Sequence, residues 1–169
     1  MASQGKGGKR KGSNFERRIA KVLSKALGKE IKRSPGSGGF DKTTFPGDVY
    51  SKNGLLFNFE LKDKEQWSFK ALFSFDTSPF ASWWEQSSTD INVWREHNPD
   101  DVGRLYKHTV VIFSKNYHPD YIMVAGDLFT KLNVSEDTNY VTVNSCKYGK
   151  LYILVLNDVL DNLKEVSNA

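Results

Sequence analysis

Residues 55–62, LLFNFELK, constrain the fold of this chain more than any other segment. Successive side chains of a β-strand point to opposite faces of a sheet. One face would be apolar and the other would carry a charged pair; the two sets are Leu55, Phe57, Phe59 and Leu61 against Leu56, Asn58, Glu60 and Lys62. The alternation therefore predicts a strand with one buried face and with Glu60 and Lys62 side by side on the other.

The preceding residues, FPGDVYS, Lys52, Asn53 and Gly54, predict a second strand joined to the first by a hairpin turn. The register of this hairpin decides where Asp48 lies. A two-residue loop pairs Asp48 with Phe59, on the wrong face. A three-residue loop, with Gly54 left-handed in a bulge, pairs Asp48 with Asn58 and sets it diagonally from Glu60. A functional role for the two carboxylates predicts the longer loop.

The rest of the chain alternates between helical and strand patterns. Apolar residues at helical spacing, a possible cap at Ser13 and a stop at Gly28 predict an amphipathic helix over residues 13–27. Glycine, proline and serine dominate residues 33–40 and predict a flexible loop. Buried strands are predicted at residues 109–114, 121–125, 140–144 and 151–156, followed by a helix containing Leu160 and Leu163. This order indicates a single α/β (α+β) domain over residues 13–169, preceded by a flexible basic arm, residues 1–12.

Eight large aromatic residues lie between Trp67 and Trp94. They could stack on unpaired bases. They could instead form a buried core and a subunit interface, which is the interpretation we favour because protein cores use aromatic residues more often.

The net charge of +4 divides unevenly along the chain. Residues 1–33 carry 11 Lys and Arg against 2 Glu, a net charge of +9, and the remainder carries 13 basic and 18 acidic residues, a net charge of −5. A basic end indicates a polyanionic partner such as nucleic acid, although a solubilising tail has the same composition. A membrane surface fits less well, since no large aromatic residue accompanies the first twelve residues.

Several protein classes are disfavoured by what the sequence lacks. No apolar run approaches the roughly 18 to 20 residues of a membrane span, and the N-terminus has no secretory signal, so we expect a soluble cytoplasmic protein. A single cysteine, Cys146, excludes an internal disulfide, and the three histidines show no zinc-ligand spacing. Any bound metal should therefore have oxygen ligands.

Asp48, Glu60 and Lys62 form the one pattern with clear chemical meaning. Two carboxylates beside a lysine suit Mg²⁺, which keeps several waters and accepts phosphate oxygens as further ligands. The lysine could orient an attacking water or stabilise developing charge. The alternative is that Glu60 and Lys62 are a same-face ion pair on a half-exposed strand, which contributes little.

Four blocks in order, FERR, RSPGSGGF, FPGD and FELK, resemble the PD-(D/E)xK nuclease superfamily, and within it the Holliday junction resolvases of archaeal and phage type. The resemblance covers about residues 13–62 and implies a restriction-endonuclease-like domain with a central mixed sheet flanked by helices. It implies that Asp48, Glu60 and Glu16 hold the metal and that Lys62 is the catalytic lysine. The chain has Gly47 where the family motif has proline.

Glu16 also has a simpler interpretation, because Ser13 and Glu16 have the spacing of a helix capping box. The resemblance further implies DNA-phosphate contacts at Arg17, Arg33 and Ser37, each of which could equally be a solvated charge or a linker residue. The arm residues Lys9, Arg10 and Lys11 would add affinity without sequence specificity.

The resemblance therefore implies a Mg²⁺-dependent endonuclease, with Mn²⁺ as a possible substitute, that cleaves four-way DNA junctions as a homodimer and needs no small-molecule cofactor. Another PD-(D/E)xK nuclease of DNA repair or restriction is an alternative. A basic nucleic-acid-binding protein without catalysis is a second alternative.

Overall fold

A computed structural model describes the backbone of residues 4–35 and 42–169, and the side chains from residue 10 onward within those ranges. It contains four α-helices and seven strands in this described part, together with short 3₁₀ helices. The elements are α1 (Gln4–Leu27), β1 (Lys32–Arg33), β2 (Val49–Tyr50), β3 (Phe57–Asp63), α2 (Pro79–His97), β4 (His108–Ser114), β5 (Tyr121–Ala125), α3 (Gly126–Leu132), β6 (Tyr140–Ser145), β7 (Gly149–Val155) and α4 (Leu160–Asn168).

Five strands form the central sheet, in the order β3-β4-β5-β7-β6. Strands β3 and β4 are parallel, with Glu60 opposite Val111, and the other pairs are antiparallel. Strand β3 lies at one edge of this sheet. The predicted strand at residues 55–62, the four later strands and the final helix are confirmed, as is a single α/β domain with a mixed sheet flanked by helices.

Alternation along the strands divides the core into two layers. On β4, Val110 and Ile112 belong to the cluster that contains apolar residues of α1 and α4, whereas Val111 and Phe113 belong to a second cluster beside α2. All four side chains are fully buried. A period of two thus makes both faces of the sheet apolar, as expected for a sheet covered by helices on both sides.

The aromatic segment supplies most of the second cluster. Trp67, Phe80 and Trp83 surround Phe113 at ring-centroid distances of 5.1 to 5.9 Å. These rings are nearly inaccessible to solvent, which confirms the predicted core role. Phe73 is the exception, since it is 93% exposed. A subunit interface in this region stays a prediction.

Helix α1 begins at Gln4, so the predicted helix start at Ser13 is wrong, and residues 4–12 of the expected arm are helical. Ser13 lies inside the helix and cannot cap it. The physical reason lies far away in sequence: the Lys11 ammonium is 2.5 Å from the Glu65 carboxylate and 3.6 Å from that of Asp63. Contacts with residues more than fifty positions away are invisible to local patterns.

The predicted hairpin between residues 45–51 and 55–62 is wrong. Strand β2 pairs antiparallel with β1, with Arg33 opposite Val49, and the described residues contain no ladder between β2 and β3. The chain still turns at Gly54, whose φ of +74° is left-handed as predicted. Because Arg33 lies in β1, the predicted loop at residues 33–40 also begins too early. Residues 36–41 of that loop lie outside the described residues.

No helix in the described part of the chain is long and apolar enough to span a bilayer. Cys146 is exposed and unpaired, in agreement with the absence of a second cysteine.

Candidate active site

Asp48 is placed beside strand β3 by a close backbone approach at Gly47. A Cβ added to Gly47 would lie 2.6 Å from Asn58 Oδ1 and 2.8 Å from the Phe59 carbonyl oxygen, so only glycine fits there. The Ser34 hydroxyl donates to the Gly47 carbonyl at 2.8 Å, and the Ser34 amide donates to the Asp48 carbonyl at 2.8 Å. These bonds join the segment to the residue that follows β1.

Asp48 continues the hydrogen bonding of the edge strand with both its backbone and its side chain. Its amide donates to the Phe59 carbonyl at 2.9 Å, and its Oδ2 accepts the Leu61 amide at 2.8 Å. The register expected for a functional site, Asp48 opposite Asn58, is therefore wrong. The carboxylate reaches Leu61, next to Glu60, because it lies along the strand edge.

The environment of Asp48 disfavours its negative charge. The residue is only 8% exposed. Burial, followed by repulsion from Glu60 and Glu16, raises the pKa of Asp48 from 3.8 to about 7, against the opposing effects of the Leu61 amide and Lys62. The folded protein thus favours the neutral form of this carboxyl far more than water does.

Glu60 and Lys62 share the face of β3 that is covered by α2, as predicted from alternation. Glu60 is completely buried, and burial raises its pKa although the neighbouring Lys62 acts in the opposite direction. Lys62 Nζ lies 2.5 Å from Glu60 Oε1 and donates to Gln86 Oε1 at 3.0 Å. The ammonium is therefore held between the strand and the helix, with its side chain only 16% exposed.

Glu16 lies on the inward border of α1 and pairs with Arg33 through Oε2 and Nε. Its side chain is 13% exposed. Because the helix begins at Gln4, the capping-box interpretation of Glu16 is wrong. Its repulsive effect on Asp48 places its charge near the site.

Sequence reasoning missed Lys42 and Asp90, a partly buried ion pair next to the carboxylates. Lys42 Nζ lies 2.8 Å from Asp90 Oδ2 and donates to the Pro46 carbonyl at 3.0 Å. Burial works against the charge of Lys42, but the bond and attraction to Asp90 outweigh it and raise its pKa. Gln86 and Asp90 are four residues apart, and residues with this spacing lie on the same face of a helix. The apolar periodicity of that segment is too weak to predict the helix firmly, so the shared face was not recognised.

The donor set suits a hard divalent cation. Glu60 Oε2 is buried without a hydrogen-bond partner, and two desolvated carboxylates lie near each other beside a lysine. Among the described residues, however, no group of three or more His, Cys, Asp or Glu side chains is arranged to hold a metal ion. Asp48 and Glu60 would supply the ligands, while the predicted third ligand, Glu16, is engaged by Arg33.

The residues predicted to contact DNA are dispersed. Arg10 and Arg17 are exposed on α1, and Arg17 makes only a weak 3.3 Å bond to Asn14 among its described contacts. Lys11 is engaged by Glu65, and Arg33 by Glu16. The side chain of Lys9 and the whole of Ser37 lie outside the described residues. The structure therefore brings Arg33, but not Arg10 or Arg17, to the carboxylates.

Comparison with known families identifies the architecture around this site. The family described as "Phage putative PDDEXK endonuclease" matches residues 7–169. The chain belongs to this family. It is accordingly a phage-type member of the PD-(D/E)xK superfamily, and its mixed sheet flanked by helices is a restriction-endonuclease-like fold. No curated protein and no solved structure matches the chain.

The residues that resemble the PD-(D/E)xK motif lie at the edge of β3. Gly47 stands where the motif has proline, and its backbone packs directly against Asn58 and Phe59, where a side chain would collide. The other residues of this resemblance, Asp48, Glu60 and Lys62, are the three buried or half-buried charges described above.

Proposed function

We propose that this PDDEXK endonuclease hydrolyses phosphodiester bonds in DNA with Mg²⁺ as cofactor and Mn²⁺ as a substitute. The observation that carries the proposal is the buried pair Asp48 and Glu60, with pKa values raised above their usual range, beside a fixed Lys62. Two buried carboxylates with a partner-free oxygen are stabilised by binding a cation.

A bound Mg²⁺ would lower the pKa of a water molecule and neutralise charge on the phosphate. The protein's own contribution is positional. Asp48 is fixed by the Leu61 amide, and Lys62 is fixed between Glu60 and Gln86. The Lys62 ammonium is thus preorganised to orient the attacking water or to stabilise the pentacovalent transition state, where a fixed charge in a water-poor site has its largest effect.

We further propose that the substrate is branched DNA, in particular the four-way junction, and that the protein acts as a homodimer. The ordered blocks FERR, RSPGSGGF, FPGD and FELK support a resolvase-like substrate. Paired cuts in opposed strands need two sites, and the described part of one chain contains one such carboxylate pair. Arg10 and Arg17 on α1 would contact phosphates, together with Lys9 and Ser37.

The test is cleavage of a labelled four-way junction beside linear duplex and single strand, with Mg²⁺, Mn²⁺ or EDTA. The proteins are wild type, Asp48→Asn and Asp137→Asn, which alters an exposed aspartate away from the site. We expect paired symmetric nicks in the junction by wild type and Asp137→Asn, and none by Asp48→Asn or in EDTA. Equal cutting of duplex would discard the resolvase assignment, and binding without metal-dependent cutting would discard the nuclease.

A further inference from the structure

An open groove of about 700 Å³ lies at the amino ends of the parallel strands β3 and β4. We call it the cationic groove. It is lined by apolar and basic side chains, among them Leu56, Arg104, Lys107, His108, Lys131 and Val166. Its volume is in the range of ligand-binding clefts.

The charge of the cationic groove opposes the charge of its surroundings. Residues 34–169 carry a net charge of −5, yet Arg104, Lys107 and Lys131 line the groove beside Glu165, the one acidic side chain among its described lining residues. Arg104 pairs with Asp101 on the exposed rim. Lys107 and Lys131 form no ion pair with a carboxylate in the described part of the chain. The groove therefore presents at least two uncompensated ammonium groups.

His108 fixes one of these ammonium groups. Its Nδ1 lies 3.1 Å from Asp127 Oδ2, and its Nε2 lies 3.3 Å from Lys131 Nζ. Burial, followed by the nearby lysines, lowers the pKa of His108 despite the attraction of Asp127, so the ring is neutral at pH 7. A neutral ring that donates from Nδ1 to Asp127 accepts at Nε2 from Lys131. The histidine thereby positions Lys131 at the groove wall.

The cationic groove is separate from the catalytic carboxylates. Leu56 precedes β3, whereas Glu60 lies four residues further along, and four residues of extended strand span about 13 Å. None of the groove residues contacts Asp48, Glu60 or Lys62 in the bonds and ion pairs described above. A ligand in the groove would therefore occupy a second site.

We propose that the cationic groove binds the phosphate backbone of a second DNA segment while the first segment lies at the carboxylates. Exposed lysines suit a polyanion, which gains affinity by releasing counterions, whereas a small ligand needs buried, convergent donors. The proposal rests on the proposed function, because it assigns one segment of a branched substrate to each site.

The experiment measures the affinity of a fluorescent four-way junction in EDTA, so that binding is separated from cleavage. The test variant is Lys107→Gln with Lys131→Gln. The matched control is Lys70→Gln with Lys150→Gln, which removes two exposed lysines outside the groove. Loss of two phosphate contacts reduces the slope of log affinity against log salt by about 1.8. The ratio of the junction affinity of wild type to that of the groove variant then falls about twelvefold between about 50 and about 200 mM salt.

An unchanged slope in the groove variant, or an equal change in the control, would overturn the proposal. Ring signals of His108 in nuclear magnetic resonance spectra give a second, local measurement. We expect them to move when a short duplex is added to wild type, and unmoved signals would also count against the groove. If the junction is bound with the expected slopes but never cleaved with metal, the proposed function fails while the groove assignment stands.

Discussion

The carboxylate site and the cationic groove both concentrate like charges, but they do so in opposite surroundings. Asp48 and Glu60 are buried, and their pKa values are raised because burial removes the water that would stabilise their charges. Lys107 and Lys131 are exposed to solvent, which screens their repulsion. The same kind of clustering therefore stores energy in one region and very little in the other.

Buried and exposed charges therefore affect different properties of the protein. Buried charges affect the reaction rate and the stability, because changing them alters protonation and packing. Exposed charges act on the affinity for a polyanion and on its salt dependence. Substitutions in the first region should change rates or folding, and substitutions in the second should change binding alone.

The largest expected effect is on catalysis, from Lys62→Met. Removal of one preorganised charge from a water-poor site lowers the rate by about 10²- to 10³-fold. Single-turnover cleavage measures it, and junction affinity in EDTA should be nearly unchanged. Lys64→Met, an exposed lysine two residues further on, is the control and should cleave normally. Equal losses in both variants would show that buried and exposed lysines do not differ here.

The second effect is a pH dependence of stability in the metal-free protein. The pKa of Asp48 is about 7 in the folded protein and 3.8 in an ordinary aspartate. At pH values between these two, the folded state therefore binds more protons at Asp48 than the unfolded state does. The free energy of unfolding should fall as pH rises from about 4 to about 7, by a few kcal/mol, and stay low above. Asp48→Asn should remove the Asp48 contribution to this slope and leave the contribution of Glu60. Denaturant titrations at several pH values measure the free energy of unfolding. The same pH dependence in wild type and Asp48→Asn would contradict the buried-charge assignment.

The third effect is on folding around the site, from Gly47→Ala. The added methyl group would collide with Asn58 Oδ1 and the Phe59 carbonyl, so we expect a loss of about 1 to 3 kcal/mol of stability together with cleavage. Gly12→Ala is the control: its Cβ meets nothing within 4 Å, and alanine in a helix stabilises by about 0.5 to 1 kcal/mol. Equal melting temperatures would show that the backbone approach at Gly47 is not needed.

The smallest effect is expected from Lys107→Gln on its own. An exposed lysine without an ion pair in the described residues should change the free energy of unfolding by less than about 0.5 kcal/mol. Thermal unfolding in low salt checks this expectation. A loss as large as that of Gly47→Ala would mean that the groove lysine is structural, and the contrast between the two regions would disappear.

The sequence predicted what depends on local pattern. The alternation in residues 55–62 placed Glu60 and Lys62 on one face, and the short apolar runs located the later strands. It failed where distant contacts decide. Helix α1 starts early because of contacts such as that between Lys11 and Glu65, and β2 pairs with β1 instead of β3.

The same limit explains which parts of the site were missed. Lys42 and Asp90 come from different elements and meet only in the folded chain. Asp48 was predicted to reach the site through strand register. It reaches it through a side-chain bond to the Leu61 amide, made possible by Gly47.

The most direct test of the central claim, that Asp48 and Glu60 bind a catalytic cation, is calorimetric titration of Mg²⁺ at pH 7 in two buffers of different ionisation enthalpy. Because burial raises the pKa values of Asp48 and Glu60, metal binding should displace protons from the site. The release should fall in Asp48→Asn, which keeps only the contribution of Glu60. Binding with no proton release, or no binding by wild type, would contradict the account.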